Sequence, residues 1–401
     1  MAYDNNSDAE ELIDAGEDIK ETYEIFKTQG VSGFSKHVMH DLSKWKHVKI
    51  KIAVTGNSGA GKSSLINALR GIPQWDPNAA KEGVKETTTR KTSYSFPGND
   101  QIELYDIPGV GTVEHPIESY MQEMNFEQYD FILIVSSERF SQNDALIIKE
   151  LEHLQKPFYL VRSKIASEVE NQKFTQTRDE VLKVIYCDCK SNLQKLSVKE
   201  IRVFLIDSHV HQDFDLEKLQ MALINDAPAA CRSAFILTFG SMTKDIIGKK
   251  VKVLKRRAVR VAFHAIVSAL PGANYFMNEN VLKDEISFYK IELGLDDEAL
   301  GKTCKDLDVD RAILEEMIAF CDFVLYPERA IEYIKNVQES LDNSPPYFIN
   351  LIRSIERALP GFISSYPKVY CGLLDIIDTL QKDSLKVSDN VLEKIRGSSF
   401  I

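Results

Sequence analysis

The sequence has no C-x-x-C pair, and none of its six cysteines, Cys187, Cys189, Cys231, Cys304, Cys321 and Cys371, lies near a histidine at zinc-ligand spacing. Thiols scattered in this way read as buried, reduced side chains of an intracellular protein, not as a metal knuckle or a disulfide framework. No apolar stretch is long enough to span a bilayer; the nearest, Val259 to Met277, is interrupted by Arg260, His264 and Pro271-Gly272. The opening "MAYDNNSDAEE" lacks the character of a signal or transit peptide, and Ala2 excludes N-myristoylation. A cytoplasmic location is therefore expected. Positive charge is also short, with 49 Lys and Arg against 60 Asp and Glu and a net charge of -11, so nothing overall attracts a polyphosphate and nucleic-acid binding is not expected. With only 13 Pro and 19 Gly, 44% hydrophobic and 27% charged residues, the chain is of the folded globular class. At about 100–200 residues per domain, two domains are expected and three are allowed.

Three zones separate by pattern. Residues 1–46 read as helical: Ser7 and Glu10 form a capping box, and Leu12, Ile19, Tyr23 and Phe26 recur on one face until Gly30, with a short second helix ending near Trp45. Residues 47–227 alternate apolar runs with amphipathic segments. "VKIKIAV", "IELYDI", "FILIVS", "FYLV" and "VFLI" predict strands, "KTSYSF" an added edge strand, and helices are expected to begin near Lys62, Asn143, Thr175 and Asp215. Such alternation implies a mostly parallel sheet with helices on both faces. Residues 228–401 continue in helical periodicity, with Ile247, Val251, Leu254, Ala258, Val261 and Ala265 forming a regular stripe for burial.

What is present most clearly is "GNSGAGKS", Gly56 to Ser63, which fits G-x-x-x-x-G-K-S between the strand "KIAV" and the helix "SSLINALRG". Gly56, Gly59 and Gly61 let successive backbone N–H groups of Asn57, Ser58, Ala60 and their neighbours, on to Ser64, turn inward on an oxyanion at a helix N-terminus. Lys62 is placed to reach β and γ phosphates and Ser63 to help hold Mg²⁺. "DIPG" follows at the end of the next long strand, where Asp106 would hold Mg²⁺ through water and the Gly109 N–H would sense a γ-phosphate. Between them "KEGVKETTTR", Lys81 to Arg90, reads as a switch loop or as a plain solvated loop. Val110 stands where Ras-like switches carry a water-positioning Gln, so slow basal hydrolysis is expected.

With "GNSGAGKS", "AAKEGVKETT", "DIPGVG", "YDFILIVSSERFSQND" and "FYLVRSK" in this order, and helical zones on both sides, the chain resembles the immunity-related GTPases, interferon-inducible and dynamin-like enzymes of cell-autonomous defence. Lys62 places it with the G-K-S type. The resemblance implies a P-loop GTPase domain joined to an all-α domain built from the N- and C-terminal segments, with GTP or GDP and Mg²⁺ as ligands. It implies GTP-dependent pairing of G domains, higher self-assembly, contacts with related GTPases, and peripheral action on intracellular or pathogen-vacuole membranes. It also makes Thr88 the switch threonine, a further Mg²⁺ ligand, and Glu86 a residue of dimer-dependent hydrolysis, which needs no Gln in place of Val110.

One position departs from the pattern. The base-reading strand of such switches ends in Ser/Thr-Lys-x-Asp; here Ser163 and Lys164 are in place, but the acid's position holds Ala166. A carboxylate paired with guanine N1 and N2 forms charge-assisted bonds of about 1.5–3 kcal/mol each, so its loss weakens affinity and discrimination without abolishing binding. Glu168, two residues on, and Asp207, which with Ser208 forms the expected last base-contacting loop, are both candidates to substitute. A low-turnover nucleotide-binding scaffold with relaxed base choice is the alternative function. Finally, "KKVKVLKRRAVR", Lys249 to Arg260, has seven basic residues and no acid, and reads either as a solvated face or as a contact for anionic lipid. Tyr347 to Leu380, amphipathic in two segments, serves either core packing or membrane attachment.

Overall fold

The structure, a computed structural model, describes residues 5–83, 91–110, 117–137, 140–196, 201–210, 213–240, 243–269, 277–326, 328–337, 353, 355–356 and 362–398. Two compact units divide the chain, one of residues 45–239 and one of residues 1–44 with 240–401.

In the first unit, β1 (Ile50–Gly56), β2 (Thr92–Phe96), β3 (Asn99–Asp106), β4 (Phe131–Ser136), β5 (Phe158–Arg162) and β6 (Val203–Leu205) form one sheet in the order β2-β3-β1-β4-β5-β6. All pairings are parallel except β2 with β3, so "KTSYSF" is the edge strand anticipated for it, and it runs antiparallel. Every residue of β4 and β5 is buried, inward and outward alike, because helices cover both faces of a parallel sheet. The connecting helices are α2 (Lys62–Arg70), α3 (Ile117–Met124), α4 (Gln142–His153), α5 (Ile165–Gln172), α6 (Arg178–Lys195), α7 (Leu216–Asp226) and α8 (Ala229–Thr238). Capping boxes at Ser141–Asp144 and Thr177–Glu180 set the starts of α4 and α6. The helix expected from Thr175 is thus preceded by a separate α5, which periodicity did not separate from the loop after β5. Phe235 and Phe239 of the last segment stack on each other, and meet Phe131 and Phe96 of the sheet edge-on, which holds the α8 segment beyond Pro228 with the sheet unit.

In the second unit, α1 (Asn5–Ser43) is two helices joined at a kink, where Gly30 takes φ 66°, the left-handed region in which a Cβ would be strained. The other helices are α9 (Lys244–Val267), α10 (Glu279–Glu292), α11 (Asp297–Leu307), α12 (Arg311–Ile318), α13 (Asp322–Leu325), α14 (Glu328–Asn336) and α15 (Phe362–Ser398). The stripe Ile247, Val251, Leu254, Ala258, Val261 and Ala265 is buried throughout, and α9 is the hub against which α1, α10 and α15 pack. Among the described residues no helix is long and apolar enough to cross a membrane.

The basic stretch of α9 matches the solvated-face reading only in part. Lys250 is buried against Glu292 at 3.1 Å, Arg257 against Glu285 at 2.5 Å, Lys255 meets Asp378 at 2.9 Å, and Arg260 lies 3.9 Å from Asp41. These four cations are paired with acids, while Lys252 and Arg256 of the same stretch are exposed, as a solvated face would have them. The four meet acids on α1, α10 and α15, Lys250 inside the unit and Lys255, Arg257 and Arg260 part-exposed. In the C-terminal segment, Tyr366, Val369, Leu373, Ile376, Ile377 and Leu380 are buried core residues; most of Tyr347 to Gly361 lies outside the described residues. Of the cysteines, Cys189 is buried and Cys187 exposed, so burial is not their common property.

Candidate functional site

Parallel pairing brings the C-terminal ends of the strands to one edge of the sheet. The registers place Val54 beside Asp106, Gly56 beside Val135, Ser136 beside Arg162, and Arg162 beside Leu205. The loops that follow β1, β3, β4, β5 and β6 therefore lie in a row, the usual position of a ligand site in an open α/β sheet.

The loop after β1 is shaped by its glycines. Gly56 takes φ 137°, and a Cβ there would come within 2.0 Å of the Val135 carbonyl oxygen; Gly61, at φ 90°, is the left-handed N-cap of α2. Ser58 and Gly59 are exposed while Ala60 is buried. Lys62 is buried and folds back over the loop, donating to the Asn57 carbonyl at 3.0 Å and reaching the Gly56 carbonyl at 3.5 Å. Carbonyl oxygens are weak, neutral partners for an ammonium, so an incoming anion can replace them.

Ser63 donates its hydroxyl to Asp106 Oδ2 at 2.6 Å, and Asp106 is buried at the end of β3. This pair offers only hard oxygen donors, one hydroxyl and one carboxylate, the set that suits Mg²⁺ completed by phosphate and water. Among the described residues no group of three His, Cys, Asp or Glu could hold a metal alone. The "DIPG" turn is drawn onto the phosphate loop: Ile107 N–H donates to Val54, Val110 N–H to Gly56 at 3.3 Å, and a Cβ on Gly109 would lie 2.7 Å from the Ser58 backbone. Val110 is itself a core residue, buried with Ile134 and Tyr120. Glu86 and Thr88 lie outside the described residues.

Several positioning residues carry no motif and were missed. Tyr120 joins the Thr55 hydroxyl at 2.7 Å and donates to the Pro108 carbonyl at 2.9 Å, which ties the "DIPG" turn to β1. Burial pushes its phenol well above the ordinary tyrosine range, so it remains protonated. Asn57 is held by α4, donating to Ser141 Oγ and accepting from Asn143, both at 3.0 Å. Glu82 accepts from Ser64 Oγ at 2.6 Å and from Asn67 at 2.8 Å, with His209 at 3.9 Å. Polar residues just outside the "GKS" signature, spaced 12 to 86 positions from their partners, leave no local pattern to read.

At the other end of the row, Ser163 is buried and donates to the Ala60 carbonyl at 2.6 Å, pinning the loop after β5 to the phosphate loop. Lys164 is exposed and takes φ 58° as the N-cap of α5. Glu168 is engaged by Arg162 at 3.3 Å. Asp207 is buried; its Oδ2 accepts from the Ala166 N–H at 3.2 Å and its Oδ1 from the His209 N–H at 3.0 Å, while Ser208 beside it is half-buried. The structure thus brings together Gly56 to Ser64, Asp106, Gly109, Ser163 and Lys164 with Asp207, and turns Glu168 aside.

A family model described as Interferon-inducible GTPase (IIGP) matches residues 15–388. The chain belongs to this family. Among its curated relatives, Interferon-gamma-inducible GTPase 10 of Mus musculus is 37% identical over 283 residues, 69% of this chain and 68% of that protein. T-cell-specific guanine nucleotide triphosphate-binding protein 2 of Mus musculus is 32% identical over 366 residues, 90% of this chain and 85% of the relative. Of solved structures, the G domain of the T. maritima FeoB iron transporter aligns over 44% of this chain and 98% of its own, at 23% identity and a TM-score of 0.29; at that score it adds nothing to the fold described above. As a member of the interferon-inducible GTPase family, the chain is a GTP hydrolase.

Proposed function

We propose that this GTPase hydrolyses GTP with Mg²⁺ at the row of loops on the sheet edge, that pairing of two sheet units stimulates turnover, and that self-assembly serves cell-autonomous defence at intracellular membranes. The observation that carries the catalytic part is the meeting of Lys62, Ser63 and Asp106 on a glycine loop closed by Gly109. Lys62 would give up its contacts with the Gly56 and Asn57 carbonyls for β and γ phosphate oxygens, and backbone N–H groups from Asn57 to Ser64 would cradle the phosphates. Ser63, Asp106 and Thr88 would hold Mg²⁺, which supplies neutralisation of phosphate charge when bound. Ser163 fixes the loop from which the Lys164 stem would lie against the purine.

The slow basal rate and the need for a second copy rest on Val110. Its side chain is in the core and has no polar atom to orient water. Glu86, in the switch loop of the resemblance, is the residue assigned to pairing-dependent hydrolysis. Membrane action and contacts with related GTPases rest on the family resemblance. Lys250, Lys255, Arg257 and Arg260 face acids of the helical unit, so lipid contact is assigned to a surface that does not use them.

The test is GTP turnover per molecule, with Mg²⁺, over a wide range of chain concentration. Specific activity that climbs with concentration is expected. A flat, measurable rate refutes the pairing, and no turnover at any concentration favours the nucleotide-binding scaffold.

A further inference from the structure

The base end of the site contains a carboxylate where the strand motif has lost one. Ala166 carries no polar side-chain atom, yet its backbone N–H donates to Asp207 Oδ2 at 3.2 Å, so an acid from the loop after β6 stands beside the position the motif reserves for one. Asp207 is 6% exposed, although it lies on a loop at the sheet edge. Its second oxygen accepts from the His209 N–H at 3.0 Å. The same loop is held toward the phosphate site by neighbours on both sides: Ile206 N–H donates to the Arg162 carbonyl at 2.8 Å, and His209 approaches Glu82, which accepts from Ser64 at the start of α2.

An ionised carboxylate has about four acceptor positions. The two backbone donors use one on each oxygen and fix the plane of the group, which leaves one on each for a ligand. Guanine presents two adjacent donors, N1–H and the N2 amine, on one edge. Adenine has no N–H at N1, and xanthine has a carbonyl oxygen in place of the amine. Glu168 cannot act in the same way while Arg162 holds it at 3.3 Å.

We propose that Asp207 is the guanine-reading carboxylate of this protein, supplied from the loop after β6 in place of the acid absent at Ala166. The inference rests on the GTPase reading above and adds to it the residue that sets base choice. A helix cap alone is the competing explanation, because Ala166 lies in the first turn of α5 and Asp207 satisfies one of its N–H groups.

The experiment compares the affinities of GDP and xanthosine diphosphate, with Mg²⁺, for the full chain and its variants. In Asp207→Asn the amide would oppose a donor to the guanine amine and match the xanthine carbonyl. GDP affinity should fall roughly ten- to a hundredfold, as for lost bonds to a charged acceptor, and xanthosine diphosphate should become the better ligand. Adding Ala166→Asp to Asp207→Asn should return the preference to GDP, a rescue that also shows the single variant to be folded. Glu168→Gln should leave the ratio of affinities as it is. Equal weakening of both nucleotides by Asp207→Asn, as a cap would give, overturns the proposal, as does an unchanged ratio or a reversal produced by Glu168→Gln. If the unaltered chain binds neither nucleotide, the GTPase reading falls and this inference with it; binding of both with no response to Asp207 removes only the inference.

Discussion

The two units bury charge in different ways. In the helical unit α9 holds cations in closed pairs: buried Lys250 with Glu292, and half-buried Arg257 with Glu285, Arg257 also donating to the Leu42 carbonyl of α1. In the sheet unit, Lys62 rests on carbonyl oxygens and Asp106 on a serine hydroxyl. Closed pairs stay closed, because separating them leaves a charge in low dielectric. Neutral partners can be displaced by a phosphate or a metal ion. At Lys250 a full opposite charge fixes architecture, whereas at Lys62 and Asp106 the dipolar partners at the end of a strand leave room for chemistry.

The largest effect that would sharpen this contrast is Lys62→Ala. GTP turnover should drop by about a thousandfold or more, as when a preorganised electrostatic group is removed, while the denaturation midpoint moves little. The converse is Glu292→Ala, which takes the carboxylate from buried Lys250, leaves it the residue 292 carbonyl alone, and should lower unfolding stability by about 3 kcal/mol, measured by urea titration, with nucleotide affinity of the folded protein unchanged.

Much of the sheet unit was legible because its signals are local. "FILIVS" is β4 to the residue, and "GNSGAGKS" announces its loop because glycine is required where φ reaches 137° and 90°. The stripe of α9 was legible for the same reason, a period of 3.6 residues in a single helix. What escaped was non-local. The basic run of α9 reads as a single surface feature until Asp41, Glu285, Glu292 and Asp378, each from a distant part of the chain, are folded against four of its seven cations. The candidate acids for the base differed only in geometry, since nothing in the sequence says that Arg162 occupies Glu168 while Asp207 leans on Ala166.

A smaller effect probes the positioning of the phosphate loop. Ser141→Ala removes both the cap of α4 and the acceptor for Asn57, so stability should fall by about 1 kcal/mol and nucleotide affinity several-fold, read by thermal melts and titration together. The smallest is a pH effect in the helical unit. Burial holds the His264 imidazole below the ordinary histidine value of 6.5. The unfolded chain then takes up the proton first, so stability is full above about pH 6.5 and declines as pH falls from there through the folded value, by at most about 1.4 kcal/mol per unit. His264→Leu should flatten that decline between pH 7 and pH 5, about two units, in denaturant titrations.

The most direct test sets Lys62→Ala beside Glu292→Ala in the same pair of measurements, calorimetric titration with GDP in Mg²⁺ and unfolding in urea. The expected result is a crossed pattern: no binding heat but near-normal stability for the first, normal binding heat but a large loss of stability for the second. Undiminished GDP binding by Lys62→Ala, or unfolding losses of similar size in both, would contradict the account.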